Sequence, residues 1–166
     1  MNRTSINNLE RREIQASFFA CLIRAYTNEL GYDKALELAS SAIREDAMQT
    51  GRSMAGKYGG NTFSELLRII KEVWAEDDAL EFDILENTSK ALNFNVNRCR
   101  YAELYDRLGL KEYGYCLSCN RDEALIQAFN PGMKLFRTQT IMQGAAICDF
   151  RIIMKLEKRK KRLSQK

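Results

Sequence analysis

The sequence predicts an α+β fold in which N-terminal helices pack on an antiparallel sheet of about four strands. Apolar side chains recur at helical spacing in the first half of the chain, and after Asp78 they alternate with polar ones at a period of two. We expect a single α+β domain over residues 1–154, with a helical scaffold at 1–80 and the sheet and site region at 81–154. Residues 155–166 form a basic C-terminal tail.

The first predicted helix begins at Asn8 and ends at Leu30, before Gly31, a residue typical of the position after a helix C-terminus. Its apolar side chains fall on one face, which we expect to pack in the core. These residues are Phe19, Leu22, Ile23, Tyr26 and Leu30.

Two more helices are predicted before Asp78. Asp33 can cap the second, whose apolar stripe is Ala35, Leu38, Ala39, Ala42 and Ile43, and we expect it to fray toward Gly51 and Gly56. Thr62 and Glu65 form a capping box, which marks the start of the third helix. The apolar stripe of that helix is Phe63, Leu66, Leu67, Ile70, Val73 and Trp74.

The second half of the chain predicts two hairpins and two helices. Phe82 and Ile84 alternate with acids, while Leu92, Phe94 and Val96 alternate with asparagines, so residues 87–90 between them read as a hairpin turn. Helices are predicted over 101–108 and roughly 112–128. A second strand pair is predicted at 134–142 and 147–154, around a turn at 143–145.

Composition excludes several kinds of chemistry. The chain has no histidine, so proton transfer and metal binding must do without imidazole. Five cysteines without a secretory leader favour reduced thiols and a cytoplasmic protein, and the longest apolar run, 16–23, is too short to span a membrane. The net charge of +4 comes from the tail, and a weakly acidic body makes a nucleic-acid partner improbable.

The residues with chemical potential concentrate between Asn97 and Arg151. Cys116 and Cys119 have the Cys-x-x-Cys spacing, and Cys99 and Cys148 fall at strand ends that can converge at one end of a sheet. These cysteines are either small buried hydrophobic side chains or ligands of a structural metal, with Cys99, Cys119 and Cys148 as its candidate ligands. No other cofactor is predicted. The arginines in this region, Arg98, Arg121, Arg137 and Arg151, form surface ion pairs or a polar pocket for a carboxylate.

Five blocks in this region resemble, in order, the signature of the L-2-amino-thiazoline-4-carboxylic acid hydrolase family: 97–103, 119–122, 129–132, 137–144 and 148–151. By motif the resemblance covers residues 90–152. It implies that the protein opens the ring of a cyclic isothiourea to a carbamoyl-cysteine, a step in bacterial cysteine formation from thiazolines.

Candidate chemical roles can be assigned to the residues at the matched positions. Without histidine, the candidate bases are Asp122 and Asp149, and the candidate nucleophiles are Cys119 and Cys148. Arg137 is the first choice to hold the substrate carboxylate, with Arg121 beside it. Neutral hydrogen bonds to the ring nitrogens would come from Thr138, Gln139 and Gln143.

Two other readings remain open. The late cysteines before a final Cys-Asp-Phe strand also weakly resemble 4-vinyl reductase-type sensory domains, in which the pocket would bind a small molecule without turnover. A third reading is a nucleic-acid-associated protein that uses the tail. In the leading reading the partner is a small-molecule substrate, no membrane is involved, and a homo-oligomer is an open alternative.

The basic tail is predicted to contribute little to stability, because it offers charge and almost no apolar surface. Deleting residues 157–166 should therefore leave the melting temperature nearly unchanged in a thermal denaturation experiment. A drop of many degrees would show that the tail packs against the domain.

Overall fold

The computed structural model describes residues 6–155 and shows an α+β architecture, as predicted. In chain order the elements are α1 Asn8–Leu30, α2 Tyr32–Tyr58, α3 Phe63–Ile69, β1 Leu80–Asn87, β2 Ala91–Cys99, α4 Arg100–Arg107, α5 Lys111–Gly114, α6 Arg121–Phe129, β3 Met133–Phe136 and β4 Cys148–Met154. The tail prediction lies outside the described residues, apart from Lys155. Within the described range, no helix combines the length and apolar character needed to cross a bilayer.

The four strands form one antiparallel sheet in the order β1-β2-β4-β3. The period-two prediction is confirmed for β2, because Leu92, Phe94 and Val96 are all buried on one face. It is wrong for Ile84 of β1, which is 41% exposed on this edge strand. Phe94 pairs with Phe150 of β4, and their rings stack with centroids 4.6 Å apart. The hairpin turn between β1 and β2 also lies where the sequence places it.

Two hydrophobic clusters fill the interior. The first joins the inner face of the sheet to α2, α3 and α6, with Leu66, Phe94, Ile126 and Ile152 at its centre. The second joins α1, α4 and the α5 region, and its largest fully buried member is Tyr105. The site described below lies where these two clusters meet.

The bounds of α1 are confirmed, but the prediction of its buried face is right only for Ile23, which is buried, and for Phe19, which is half-buried against the second cluster. Ala16, Ala20 and Ile23 face the core, whereas Leu22, Tyr26 and Leu30 are exposed. Small alanine side chains let the helix approach its neighbours closely, and a size-weighted reading of the apolar pattern overlooks them. The long apolar side chains are left on the outer face of α1.

The prediction that α2 frays toward its glycines is also wrong, since the helix continues to Tyr58. Gly51 is buried where α2 crosses α6, and a Cβ atom there would overlap the backbone carbonyl oxygen of Leu125. The glycine is required by this close approach of two helices. At the other end, Gly31 rather than Asp33 is the N-cap, and Leu38 of the predicted stripe is exposed.

Two predicted helices contain π-helical turns, which the hydrophobic pattern does not reveal. The third helix, whose capping box at Thr62 is confirmed, changes to a π-helical turn over Ile70–Trp74. The predicted helix at 112–128 is interrupted by a second π-helical turn at Tyr115–Cys119, between α5 and α6. Both turns end at the cavity described below.

The second hairpin has shorter strands and a longer loop than predicted. β3 ends at Phe136 rather than continuing to Met142, and the connection to β4 contains a short 3-10 turn at Ile141–Gln143. Asp149 organises this loop by accepting hydrogen bonds from the backbone and hydroxyl of Thr138 and from the backbone of Gln139, at 2.7–2.9 Å. Hydrogen bonds to the Asp149 side chain on β4 thus take the place of the strand-to-strand hydrogen bonds that the sequence predicts beyond Phe136.

Two glycines of α2 provide a matched test of this packing. Gly51→Ala should lower the free energy of unfolding by about 1–3 kcal/mol, because the added methyl group overpacks the crossing with α6. Gly56→Ala meets open space in the same helix and should raise it by about 0.5–1 kcal/mol. Urea denaturation of both variants measures the difference, and equal effects would contradict the close-approach argument.

Candidate functional site

A cavity of about 80 Å³ lies at the junction of the two clusters, where β2 ends and β4 begins. Its wall combines three guanidinium groups, one carboxylate and three thiols with aromatic and aliphatic side chains. The lining residues are Asn8, Arg12, Trp74, Leu80, Val96, Cys99, Tyr101, Ser118, Cys119, Arg121, Asp122, Leu125, Arg137, Cys148 and Phe150.

Irregular helical turns and strand ends bring these side chains together. Trp74 is the last residue of one π-helical turn, and Cys119 is the last residue of the other. Cys99 ends β2, while Cys148 opens β4 opposite Val96. π-helical turns are rare and often occur at functional sites, so their coincidence at one cavity is informative.

Arg137 and Asp122 form an ion pair in the wall of the cavity. Arg137 Nη1 donates to Asp122 Oδ2 at 2.5 Å, and Nη2 donates to the carbonyl oxygen of Cys119 at 2.9 Å. The guanidinium also lies 4.8 Å from the centre of the Phe150 ring. Burial raises the pKa of Asp122, and the opposing charge of Arg137 moderates the increase. Burial lowers the pKa of Arg137, but Asp122 outweighs that effect and raises it.

Two further arginines line the cavity with hydrogen-bonding capacity to spare. Arg121 is 5% exposed and pairs through Nη2 with Asp46, but its buried Nε has no partner among residues 6–155. Arg12 donates to Gln15 at 3.0 Å and forms no ion pair within the same range. Burial, followed by the charge of Arg121, lowers the pKa of Arg12 to about 10. A buried cation with an unpaired donor beside a second, half-buried cation favours an anionic ligand.

The three cavity thiols are held in their neutral form. Burial raises the pKa of Cys99 to about 11, and it also raises the pKa of Cys148. Burial and the charge of Asp122 raise the pKa of Cys119 strongly. Cys148 accepts a hydrogen bond from the backbone of Ile141 at 3.2 Å. Since the thiolate is the nucleophilic form, none of these cysteines is activated in the structure described.

Of the residues that the sequence singles out, Cys99, Cys119, Arg121, Asp122, Arg137 and Cys148 all line the cavity. Four of the predicted catalytic and substrate-binding residues do not: Thr138, Gln139 and Gln143 lie in the β3–β4 loop, and Asp149 of β4 holds that loop. Burial acts to raise the pKa of Asp149, but the hydrogen bonds of the loop outweigh it and the pKa is lowered. These four residues therefore lie where they can position Arg137 and Cys148 without lining the cavity.

The alternative in which the cysteines bind a structural metal requires several ligand side chains to lie close together. In the part of the chain that the structure describes, no group of three or more Cys, Asp or Glu side chains is arranged to hold a metal ion. Cys116 lies apart from the cavity and is 3.2 Å from the hydroxyl of Ser40.

Sequence reasoning missed Arg12, Asn8, Trp74 and Tyr101. Asn8 donates to the hydroxyl of Tyr101, which in turn donates to the carbonyl oxygen of Trp74. A signal for Arg12 exists, because it precedes Ala16 by four residues and Ile23 by eleven, which places a charge on the buried face of α1. A cation on the apolar face of a helix is a useful marker of a polar cavity.

The fold and the cavity thus define a small α+β protein with a buried, cation-rich pocket. The family model described as L-2-amino-thiazoline-4-carboxylic acid hydrolase matches residues 11–152, and the chain belongs to that family. Membership supports a hydrolase-type function at the level of the family.

Other comparisons add the fold alone. No curated protein matches this sequence. The crystal structure of a trafficking protein particle complex subunit 3 from Naegleria fowleri, covalently bound to palmitic acid, is similar to this chain with a TM-score of 0.53 at 10% identity. The match covers 88% of this chain and 96% of that one. At this identity the likeness shows a shared fold.

The Arg137–Asp122 pair predicts a pH-dependent loss of stability. Arg137→Gln leaves Asp122 buried without its cation, which should cost about 3–5 kcal/mol of unfolding free energy at neutral pH. Because burial raises the pKa of Asp122, the Asp122 carboxyl stays protonated to a higher pH in the folded state than in the unfolded chain. The free energy of unfolding therefore falls as the pH rises from the unfolded-state pKa through the raised folded-state pKa. The deficit should therefore shrink as the pH is lowered to about 5.

Urea denaturation at the two pH values measures this effect. Arg98→Gln is the matched control, because Arg98 pairs with Glu81 and Glu103 on the exposed surface. The control should change stability little at either pH. A deficit in Arg137→Gln that is independent of pH would contradict a buried, proton-linked pair.

Proposed function

We propose that this protein hydrolyses a small heterocycle bearing a carboxylate, of the 2-amino-thiazoline-4-carboxylate type, in the cavity between the two clusters. The observation that carries the proposal is the buried Nε of Arg121, which has no partner within residues 6–155, beside Arg12 in a wall that also contains Asp122. The reaction class comes from family membership. The alternative is a domain that binds the same ligand without turning it over.

Arg12 and Arg121 are the better anchors for the substrate carboxylate. Arg137, the first choice from the sequence, already uses Nη1 on Asp122 and Nη2 on Cys119. Arg121 keeps Nε for a ligand, and Arg12 has only Gln15 as a side-chain partner in the described range. A carboxylate between these two cations would neutralise their mutual repulsion and gain charge-assisted hydrogen bonds.

Asp122 is the candidate general base. Its raised pKa brings it closer to neutral pH than an exposed aspartate, which favours proton transfer. Its Oδ2 is bound by Arg137, so Oδ1 is the oxygen that would accept a proton from water. Arg137 favours the ionised form of the carboxylate and orients it, and the carboxylate can also face the positive amidine nitrogens of the substrate.

The step balances with water as the only co-reactant. Water adds to the ring carbon that carries sulfur and two nitrogens, and its proton passes to Asp122. Collapse of the adduct breaks either the carbon–sulfur or the ring carbon–nitrogen bond, and the proton returns to the departing atom. The product is N-carbamoyl-cysteine with a new thiol in the first case and S-carbamoyl-cysteine with a new amine in the second.

Water is favoured over a cysteine as the nucleophile. The pKa of each cavity thiol is raised, so Cys99, Cys119 and Cys148 carry little thiolate at neutral pH. Neutral thiols instead offer a polarisable wall that suits a sulfur-containing ring.

Turnover is tested by incubating the purified protein with 2-amino-thiazoline-4-carboxylate and following thiol and carbamoyl product. Asp122→Asn should lower kcat by about 10²–10⁴-fold. Arg12→Gln and Arg121→Gln should mainly raise KM, because they remove ground-state contacts to the carboxylate. Arg98→Gln, on the exposed surface, is the control and should retain wild-type kinetics.

Binding is measured separately through Trp74, which is the single tryptophan of the chain and lines the cavity. Fluorescence titration should give weaker binding in Arg121→Gln and near-normal binding in Asp122→Asn. Thermal denaturation of each variant separates misfolding from lost chemistry. A ligand that quenches Trp74 but is recovered unchanged would move the conclusion to a binding domain. Full turnover by Asp122→Asn would place the base elsewhere.

A further inference from the structure

The outer face of α1 carries an exposed apolar ridge. Ile14 and Phe18 are each 64% exposed, Leu22 is 36% exposed and Tyr26 is 50% exposed. These four residues follow one another at intervals of four, so they form one continuous row along the helix. At about 1.5 Å per residue the row is about 18 Å long. Such a row on a helix that already buries its opposite face indicates a docking surface.

Opposite charges flank the ridge. Arg11 precedes it and Glu29 follows it, and both are exposed and form no ion pair within residues 6–155. They are 18 residues apart, which is five turns at about 3.6 residues per turn, so both point in the same direction as the middle of the ridge, between Phe18 and Leu22. The apolar residues therefore lie at equal distances on either side of the middle of this face, and its two ends carry opposite charges.

We propose that this face binds a second copy of the chain through an antiparallel pairing of the two α1 helices. With the two-fold axis level with Ala20, Phe18 meets Leu22 of the partner subunit and Ile14 meets Tyr26 of the partner subunit. Arg11 then meets Glu29 of the partner subunit at each end. One patch serves both subunits, as a closed two-fold dimer requires.

The opposite charges at the two ends of the ridge favour a second copy of the chain, in antiparallel orientation, as the binding partner. A parallel copy would set Arg11 against Arg11 of the partner subunit, and like charges would repel. A lipid surface would favour basic residues around the whole ridge, whereas Glu10 and Glu29 lie at its two ends. A single helix row is a small contact, and interfaces below about 1,200 Å² in total are usually weak. We therefore expect a reversible dimer whose population depends on concentration.

Cys21 provides a built-in reporter of this geometry. It is the exposed cysteine of the described chain and lies beside Phe18 and Leu22 on the outer face. Cys21 is one residue from the level of the proposed axis, so the Cys21 residues of the two subunits would be offset by only about 3 Å along the helices. The axis keeps both on the same side of the pair, within reach of a short bis-maleimide.

The test combines analytical ultracentrifugation over a concentration series with cross-linking of Cys21. The wild type should show a monomer–dimer equilibrium and a cross-linked dimer. Phe18→Glu should abolish both without lowering the melting temperature, because Phe18 is exposed in the monomer. The matched control is Leu85→Glu on β1, which is similarly exposed, at 56%, and should dimerise as the wild type does.

Charge reversal tests the antiparallel register. Arg11→Glu and Glu29→Arg should each weaken the dimer several-fold, and the double variant should restore it. A wild type that stays monomeric at every concentration would overturn the proposal, and so would a dimer unaffected by Phe18→Glu. A double variant that fails to recover would overturn the antiparallel register. Binding of a monomeric protein to anionic vesicles, lost in Phe18→Glu, would replace the second copy with a lipid surface.

Discussion

The ion pair between Arg137 and Asp122 connects the fold to the site. Removing a carboxylate and a guanidinium from water costs several kcal/mol for each ion, and further hydrogen bonds to the pair offset that cost. Here Arg137 also donates to the carbonyl oxygen of Cys119 and lies over Phe150. One side chain from the β3–β4 loop therefore holds the end of a π-helical turn, the first turn of α6 and the aromatic layer of the sheet.

The cavity depends on departures from regular structure. A π-helical turn widens the helix by one residue and leaves carbonyl groups outside the ordinary ladder. Cys119 is the last residue of one such turn, and its carbonyl oxygen accepts a hydrogen bond from Arg137. On the sheet side, Asp149 ends the ladder by capping the loop, which lets Arg137 leave β3 and turn inward. Irregularity on both sides thus makes room for charged groups between two apolar clusters.

The sequence predicts the type and order of the elements better than it predicts their buried faces and irregular turns. Capping chemistry and period-two alternation depend on neighbouring residues, so the start of α3 at Thr62 and the β1–β2 hairpin could be predicted. Burial of α1 depends on which helix surface approaches another, so the apolar pattern alone misses the alanine face and predicts that Leu22 is in the core. The π-helical turns at Ile70–Trp74 and Tyr115–Cys119 leave no mark on the spacing of apolar residues, so the pattern does not reveal them.

The candidate site was predictable to the same extent. Cys99 and Cys148 lie at strand ends, and antiparallel pairing brings such ends together, so their meeting at one cavity follows from topology. The roles of Thr138, Gln139 and Asp149 do not follow, because a residue that shapes a loop and one that contacts a ligand look alike in a motif. The sequence does not mark Arg12 as a cavity residue for another reason: it is remote in sequence from Asp122 and from the other two cavity arginines.

The balance of charge in the cavity determines which ligands it can hold. Three guanidiniums line it against the single carboxylate of Asp122, and Asp46, which pairs with Arg121, is mostly exposed and screened by water. The enclosed space is therefore cationic, and a neutral heterocycle would leave Arg12 and the Nε of Arg121 without compensation. A ligand with a carboxylate at one end and a cationic amidine at the other would satisfy both the arginines and Asp122. In the function proposed above, the carboxylate is therefore the feature of the substrate that the arginines would recognise, and the ring chemistry is secondary to it.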